Sequence, residues 1–293
     1  MDALLSQLLE RPSPASTFTD FWSTTRPLRA NFPNSVQRAA VLGFHADRLG
    51  FAFLGGYTAA MTRLDPTLGP DEIGALCATE DEGAHPRAIK TALSNSRITG
   101  TKRFVSGGTL ATRLLVIATE GTTADGRNRL RLVRVDPKAP GVHLEPMPEL
   151  PFIPEIPHAS ATFTDAACTP LPGDGYEDAL KPFRTIEDLH VHASVLGYLL
   201  SVARRNSREQ SVQERLLAAI VSAVGLGEAN PRAAATHLAL AGLLTHGQQL
   251  LGDVEALWTP CEERARFVRD RPLLNVAAKA REARRAKAWK SQS

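Results

Sequence analysis

Cysteine is scarce: Cys77, Cys168 and Cys261 are the only three among 293 residues. They lie far apart and are odd in number, so they form neither a disulfide framework nor a Cys-x-x-Cys metal knuckle, and three reduced thiols are expected. Long apolar runs are missing as well. The longest are short pieces such as 114–118, far below the ~18 uninterrupted residues that a membrane span requires. The chain opens Met1-Asp2-Ala3, with an acid where a secretory leader would be basic, and Ser6, Gln7 and Glu10 interrupt its leucines; a cytoplasmic protein is expected. Charge of one sign is lacking too. With 34 basic and 31 acidic residues, the net charge of +3 gives no general reason to expect nucleic acid. No internal repeat or low-complexity tract occurs.

Several catalytic signatures are also absent. There is no Gly-x-Ser-x-Gly elbow and no Gly-x-x-x-x-Gly-Lys-Ser/Thr loop, which removes the usual support for a hydrolase or a nucleoside triphosphatase. Gly225-Leu226-Gly227 follows a helical pattern and meets no third glycine, so it reads as a helix corner and not a dinucleotide loop. His190 and His192 are two apart and on a helix face different ways, and His85, His143, His158, His237 and His246 show no ligand spacing. No metal site is expected.

The composition is that of a globular protein, 43% hydrophobic and 22% charged. At ~100 to 200 residues per domain the length suggests two or three units. Over 1–74 apolar residues recur at helical spacing (Leu4, Leu5, Leu8, Leu9; Val36, Ala39, Ala40, Phe44), punctuated by Pro12, Pro14, Pro27 and Pro33. The run 51–61 is apolar nearly all round, as in a buried helix. Over 75–172 the texture changes to short Val, Ile, Thr and Leu segments between turn residues, the pattern of an antiparallel β domain. Strands are expected at 76–79, 88–93, 102–106, 114–119, 129–135 and 160–164, with a hairpin turned by Ala124-Asp125-Gly126. The proline-dense 137–157 reads as an irregular loop. Over 173–293 helices return, at 187–202, 212–224 and 233–257. The basic stretch 264–290 reads as one further helix with an apolar stripe at Phe267, Leu274, Val276 or Ala277, and Ala280. Its arginines form a solvated face or, as the minority reading, a docking face for an acidic partner. Helices, then strands, then helices make an α+β arrangement.

Two stretches carry more information. Leu76-Cys77-Ala78-Thr79-Glu80 is followed by Gly100-Thr101-Lys102-Arg103-Phe104-Val105-Ser106-Gly107-Gly108. A third stretch, 159–170, closes the strand zone, and 185–200, with Leu196-Gly197, opens the helices after it. With these segments in this order the chain resembles the acyl-CoA dehydrogenase family, across nearly its whole length. The resemblance implies an N-terminal helical domain, a central antiparallel β domain and a C-terminal helical bundle. It implies bound FAD, with Thr79 and Ser106 offering hydrogen bonds to the flavin ring and Phe104 as the packing aromatic. It also implies that Glu187, at the position one subgroup uses for its base, removes the α proton of an acyl thioester while the β hydride passes to flavin. The thioester would be that of CoA or an acyl-carrier protein, the electron acceptor a flavoprotein or similar, and the assembly a homo-oligomer. Against a general-base role, an acid beside Asp188 near a helix start also meets the helix dipole favourably.

The chain departs from the family pattern in places. Asp81-Glu82-Gly83-Ala84-His85-Pro86 replaces the usual Pro-x-x-Gly-Ser-Asp after the Thr-Glu pair. No Arg-x-x-Phe-Gly follows Arg204, the later Gly-Gly loop is missing, and both helical ends are shorter than is typical of the family. These departures favour the alternative of a non-catalytic subunit or binding module of the same fold without FAD.

Overall fold

The computed structural model describes residues 1–206 and 209–292. Two compact units result, one helical (Met1–Ala60, Pro151–Glu155, Thr185–Ser293) and one built on a sheet (Met61–Leu150, Ile156–Arg184).

The helices are α1 Asp2–Leu9, α2 Phe18–Thr24, α3 Arg26–Asn31, α4 Ser35–Phe44, α5 Leu49–Met61, α6 Lys181–Asn206, α7 Gln210–Leu226, α8 Ala234–Leu257, α9 Glu262–Asp270 and α10 Ala278–Lys290. Prolines set the early boundaries: Pro27 lies in the first turn of α3, where its missing N–H costs nothing, and Pro33 follows the end of that helix. Asn34 caps α4, its side-chain oxygen accepting from Val36 N and Gln37 N, both at 3.0 Å. Helix α5 is buried on nearly every side. Small residues let α4 and α6 touch backbone to backbone: a Cβ on Gly43 would lie 1.8 Å from Ser194 O, and one on Gly197 2.0 Å from Ala40 O.

The segment 264–290 is not one helix. Pro272 cannot continue the hydrogen-bond ladder of α9, and a 3₁₀ turn over Arg271–Asn275 separates it from α10. Of the stripe read from the sequence, Phe267 is buried against Tyr198 and Trp258 while Val276 is exposed. Two of the arginines turn inward: Arg281 donates to Asp188 Oδ1 on α6 at 2.9 Å, and Arg284 pairs with the other oxygen of the same carboxylate.

In the β unit the strands are β1 Gly74–Cys77, β2 Ala92–Ser94, β3 Arg97–Ser106, β4 Arg113–Thr122, β5 Asn128–Val135, β6 Val142–Pro146, β7 His158–Ala167 and β8 Thr169–Pro170. The sheet order is β6-β7-β3-β2-β4-β5-β8, with β1 on β4. The sheet is mixed and not purely antiparallel, because β1 runs parallel to β4, and so does the single β2–β4 bridge. The hairpin β4–β5 forms as expected, with Gly126 at φ +75° in its turn. Two expectations fail. The strand expected at 88–93 is a 3₁₀ turn over Pro86–Ala88 that reaches extended pairing only at Ala92, and the loop expected at 137–157 contains β6, an edge strand held by β7 alone. The core of this unit is mostly aliphatic, built from Val105, Leu114, Val116, Val133 and Ala161 around Phe163, among others. Asp65 accepts two hydrogen bonds from Arg134 at 2.7 Å and one from Arg113 at 3.2 Å, tying the segment after α5 to β4 and β5. Burial alone would raise the Asp65 pKa, yet these bonds and those from Thr67 hold it well below the ordinary carboxylate value.

Candidate functional site

The Thr79-Glu80 segment leaves β1 and is pinned to β3 by a buried ion pair. Lys102 Nζ donates to Glu80 Oε1 at 2.7 Å, and the Lys102 side chain is 0% exposed and that of Glu80 8%. The carboxylate also accepts from Lys90 N at 2.8 Å, Thr91 N at 3.0 Å and the Thr91 hydroxyl at 2.8 Å, so both of its oxygens are engaged in the fold. Burial pushes the Glu80 pKa up, but Lys102 and the backbone donors outweigh it and the carboxyl titrates below its ordinary value. Beneath this pair Cys77 is fully buried and its thiol pKa is pushed up to about 12, which makes it a packing residue and not a nucleophile.

Thr79 stands half-buried one residue earlier, its carbonyl accepting from Arg103 N at 2.8 Å. No partner for its hydroxyl is present among the described residues. On β3 the pairing with β7 slips between Lys102 and Val105, and the bulge holds Phe104 at φ +53°, where its N–H meets Met147 Sδ at 3.4 Å. A left-handed backbone is disfavoured for a bulky aromatic residue. The ring gains no burial in return, being 57% exposed. Phe104 and Ser106 flank the buried Val105 on β3. Beside Phe104 opens a recess of about 450 Å³ lined by Glu80, Asp81, Arg103, Glu145, Met147 and Ser160, among others. Arg103 is occupied by Asp81 at 2.8 Å.

Ser106 Oγ lies 3.2 Å from His158 Nε2, and His158 Nδ1 lies 3.2 Å from Ile156 O. Burial pulls the His158 pKa below the ordinary histidine value, the Ile156 carbonyl opposing. Strand β3 thus carries Phe104 and Ser106, and the Thr79 backbone meets it at Arg103 N. Glu187 belongs to the helical unit, half-buried on α6 and seven residues into that helix. A π-turn over Gly175–Leu180 precedes α6, so the helix-start explanation for an acid at 187 loses its footing. The neighbouring Asp188 is spent on Arg281 and Arg284.

Sequence reasoning missed four participants. Lys102 and Glu80 were visible as motif letters without a role, and their pairing is the reason for both. His158 and Met147 carry no local signal at all, since they reach β3 only through strand pairing. Among the described residues, no group of three or more His, Cys, Asp or Glu could hold a metal ion, and no helix is long and apolar enough to cross a membrane.

No protein-family model matches the chain, and no curated protein matches it. Solved structures do. The chain is similar to an FAD-dependent dehydrogenase (TM-score 0.64, 15% identity, covering 86% of each chain). It is similar to the acyl-CoA dehydrogenase from Geobacillus kaustophilus (TM-score 0.62, 15% identity, 97% of this chain and 92% of that one). It is also similar to butyryl-CoA dehydrogenase from Megasphaera elsdenii (TM-score 0.59, 16% identity, 87% and 81%). The chain has the acyl-CoA dehydrogenase fold, as the motif resemblance implies.

The residues present suit a flavin ring. An apolar aromatic face held toward solvent on a disfavoured backbone, a hydroxyl without a partner at Thr79 and a second hydroxyl at Ser106 match the needs of a planar, hydrogen-bonding heterocycle.

Proposed function

We propose that the protein is an FAD-dependent oxidoreductase of the acyl-CoA dehydrogenase type, acting on an acyl thioester of CoA or of an acyl-carrier protein. The observation that carries this reading is Phe104, an exposed aromatic ring that the β3 bulge fixes at positive φ within the matched motif. Bound FAD would supply a two-electron acceptor for the β hydride of the acyl chain. Phe104 offers the face for the ring, and Thr79 and Ser106 the hydroxyls for its polar edge. The Glu187 carboxylate takes the α proton as general base. An electron-accepting flavoprotein or similar protein would reoxidise the enzyme, in the cytoplasm, and the assembly would be a homo-oligomer.

A second reading has a specific observation in its favour. Arg103, the one guanidinium lining the recess beside Phe104, is paired with Asp81, and Glu80 is paired with Lys102, while Glu145 also lines it. Such a lining offers the pyrophosphate of a dinucleotide no uncommitted cation and suits a non-catalytic subunit or binding module.

Reconstitution decides between them. Purified protein titrated with FAD is expected to turn yellow and to melt at a higher temperature as FAD is added in excess, as ligand linkage requires. Protein that stays colourless and whose melting temperature does not move leaves the non-catalytic reading.

A further inference from the structure

His158 has no assigned part in the reading above, yet its geometry determines what Ser106 can do. The Ile156 carbonyl 3.2 Å from Nδ1 can only accept, so Nδ1 carries the hydrogen. In a neutral imidazole the other nitrogen is then bare, and Nε2 is an acceptor. The only proton available to the 3.2 Å contact with Ser106 is the one on the serine hydroxyl. Ser106 therefore gives its proton inward to His158 and turns only lone pairs outward. The strand pairing enforces this: Ser106 and His158 are register partners at the end of the β3–β7 ladder, and Gly107 N closes the corner on Pro157 O at 2.8 Å. Charged side chains on the flanking strands are engaged elsewhere or belong to the recess rim. Lys102 is paired with Glu80, Arg103 with Asp81, and Glu145 lines the recess, while His143 stands further along β6. Burial favours the uncharged ring, in keeping with the tautomer deduced from the contacts.

We propose that His158 is a positioning residue that fixes the Ser106 hydroxyl as a hydrogen-bond acceptor toward the flavin ring. The proposal rests on the flavin reading above. A hydroxyl restricted to accepting has nothing to give a ring nitrogen that is bare when the flavin is oxidised. It meets the same nitrogen well once that position carries hydrogen in the reduced state. The pair thus favours the reduced cofactor and raises its midpoint potential without placing a charge beside it. A serine free of His158 can turn either way, serves both states, and loses that bias.

Two measurements test this, one needing no cofactor. In ¹⁵N-labelled flavin-free protein at neutral pH, long-range ¹H–¹⁵N correlation spectra are expected to show His158 protonated at Nδ1 and bare at Nε2. In Ser106→Ala the Nε2 resonance is expected to move toward that of an imidazole nitrogen without a donor. The opposite tautomer, or an Nε2 signal indifferent to Ser106, overturns the proposal even if His158 variants fail to fold. In FAD-loaded protein, His158→Phe keeps a ring without an acceptor. It is expected to lower the two-electron midpoint potential by about 30 mV, a tenfold shift in the reduction equilibrium. In a Ser106→Ala background the same replacement is expected to shift nothing. An equal shift in both backgrounds would mean that His158 acts through structure alone and would overturn the assignment. Protein that takes up no flavin overturns the flavin reading and the outward role of Ser106 together. The tautomer spectrum then still reports whether the inward hydrogen bond exists, so the two failures are told apart.

Discussion

The Lys102 ammonium, closed to water, meets the largely buried Glu80 carboxylate at 2.7 Å and joins the two motif segments that lie 22 residues apart in sequence. Removing one partner leaves the other as an uncompensated buried charge. Lys102→Met is therefore expected to destabilise the protein by about 3–5 kcal/mol. The double variant Lys102→Met/Glu80→Gln should recover part of that loss, because the amide no longer needs a counter-ion and its oxygen still accepts from Thr91, although its NH2 cannot accept from Lys90 N. Urea unfolding of the three proteins checks this, and a single variant within about 1 kcal/mol of the parent would contradict a desolvated pair.

Phe104 spends backbone strain on an exposed ring. Phe104→Gly removes a left-handed aromatic residue and is expected to leave stability unchanged or slightly raised, the relief offset by glycine's greater chain entropy. The same change should weaken FAD binding by roughly threefold to tenfold, the scale of one aromatic contact at about 0.5–1.5 kcal/mol. Paired thermal melts and flavin titrations read both effects. A variant that binds FAD as tightly as the parent would remove Phe104 from the site.

Glu187→Gln tests the base. The variant is expected to keep its flavin while acyl-CoA bleaches it anaerobically about 10² to 10⁴ times more slowly, the usual scale for a general base. Bleaching at the parent rate would move proton abstraction to another group.

His192 makes acid stability measurable. Burial, helped by the charge of Arg281, pushes its pKa down to about 4, and its buried Nε2 has no hydrogen-bond partner among the described residues. The folded pKa lies below the ordinary value of 6.5, so the unfolded chain binds the extra proton first. Stability from this group is complete above about pH 6.5 and drains away as the pH falls toward 4. The loss is expected to be on the order of 2 kcal/mol, less than full linkage would give because part of the residue still meets solvent. His192→Gln should unfold with a shallower dependence on pH over that window. Parallel slopes for parent and variant would show that His192 protonates as freely folded as unfolded.

What the sequence revealed follows how local each signal is. The β4–β5 hairpin was legible because alternation and an Asp-Gly turn lie within one short stretch. The ring-contact candidates Thr79, Phe104 and Ser106 were legible through motif order. Strand β6 was hidden in prolines because it is an edge strand, where Pro146 can stand at the end without breaking a ladder. The turn over Pro86–Ala88 replaced an expected strand because Glu80 draws Lys90 N and Thr91 N to its carboxylate, a tertiary contact. His158 could not be found from sequence for the same reason: it is 52 residues from Ser106 and meets it only across the β3–β7 ladder.

The helical unit is assembled from pieces at opposite ends of the chain order, and this sets a timetable for synthesis. Ser35 on α4 finds His190 Nε2 on α6 at 2.8 Å, a partner 155 residues later, and Gly43 and Gly197 need the same late arrival to close their backbone contacts. The β unit lies almost entirely between them, over Met61–Leu150 and Ile156–Arg184. A ribosome adding about 5–20 residues per second therefore releases a sheet able to fold while α4 and α5 still have no α6 to pack against. Those two apolar helices lack the second half of their core until α6 is translated, so the segment made first completes its packing only after the sheet that follows it in sequence.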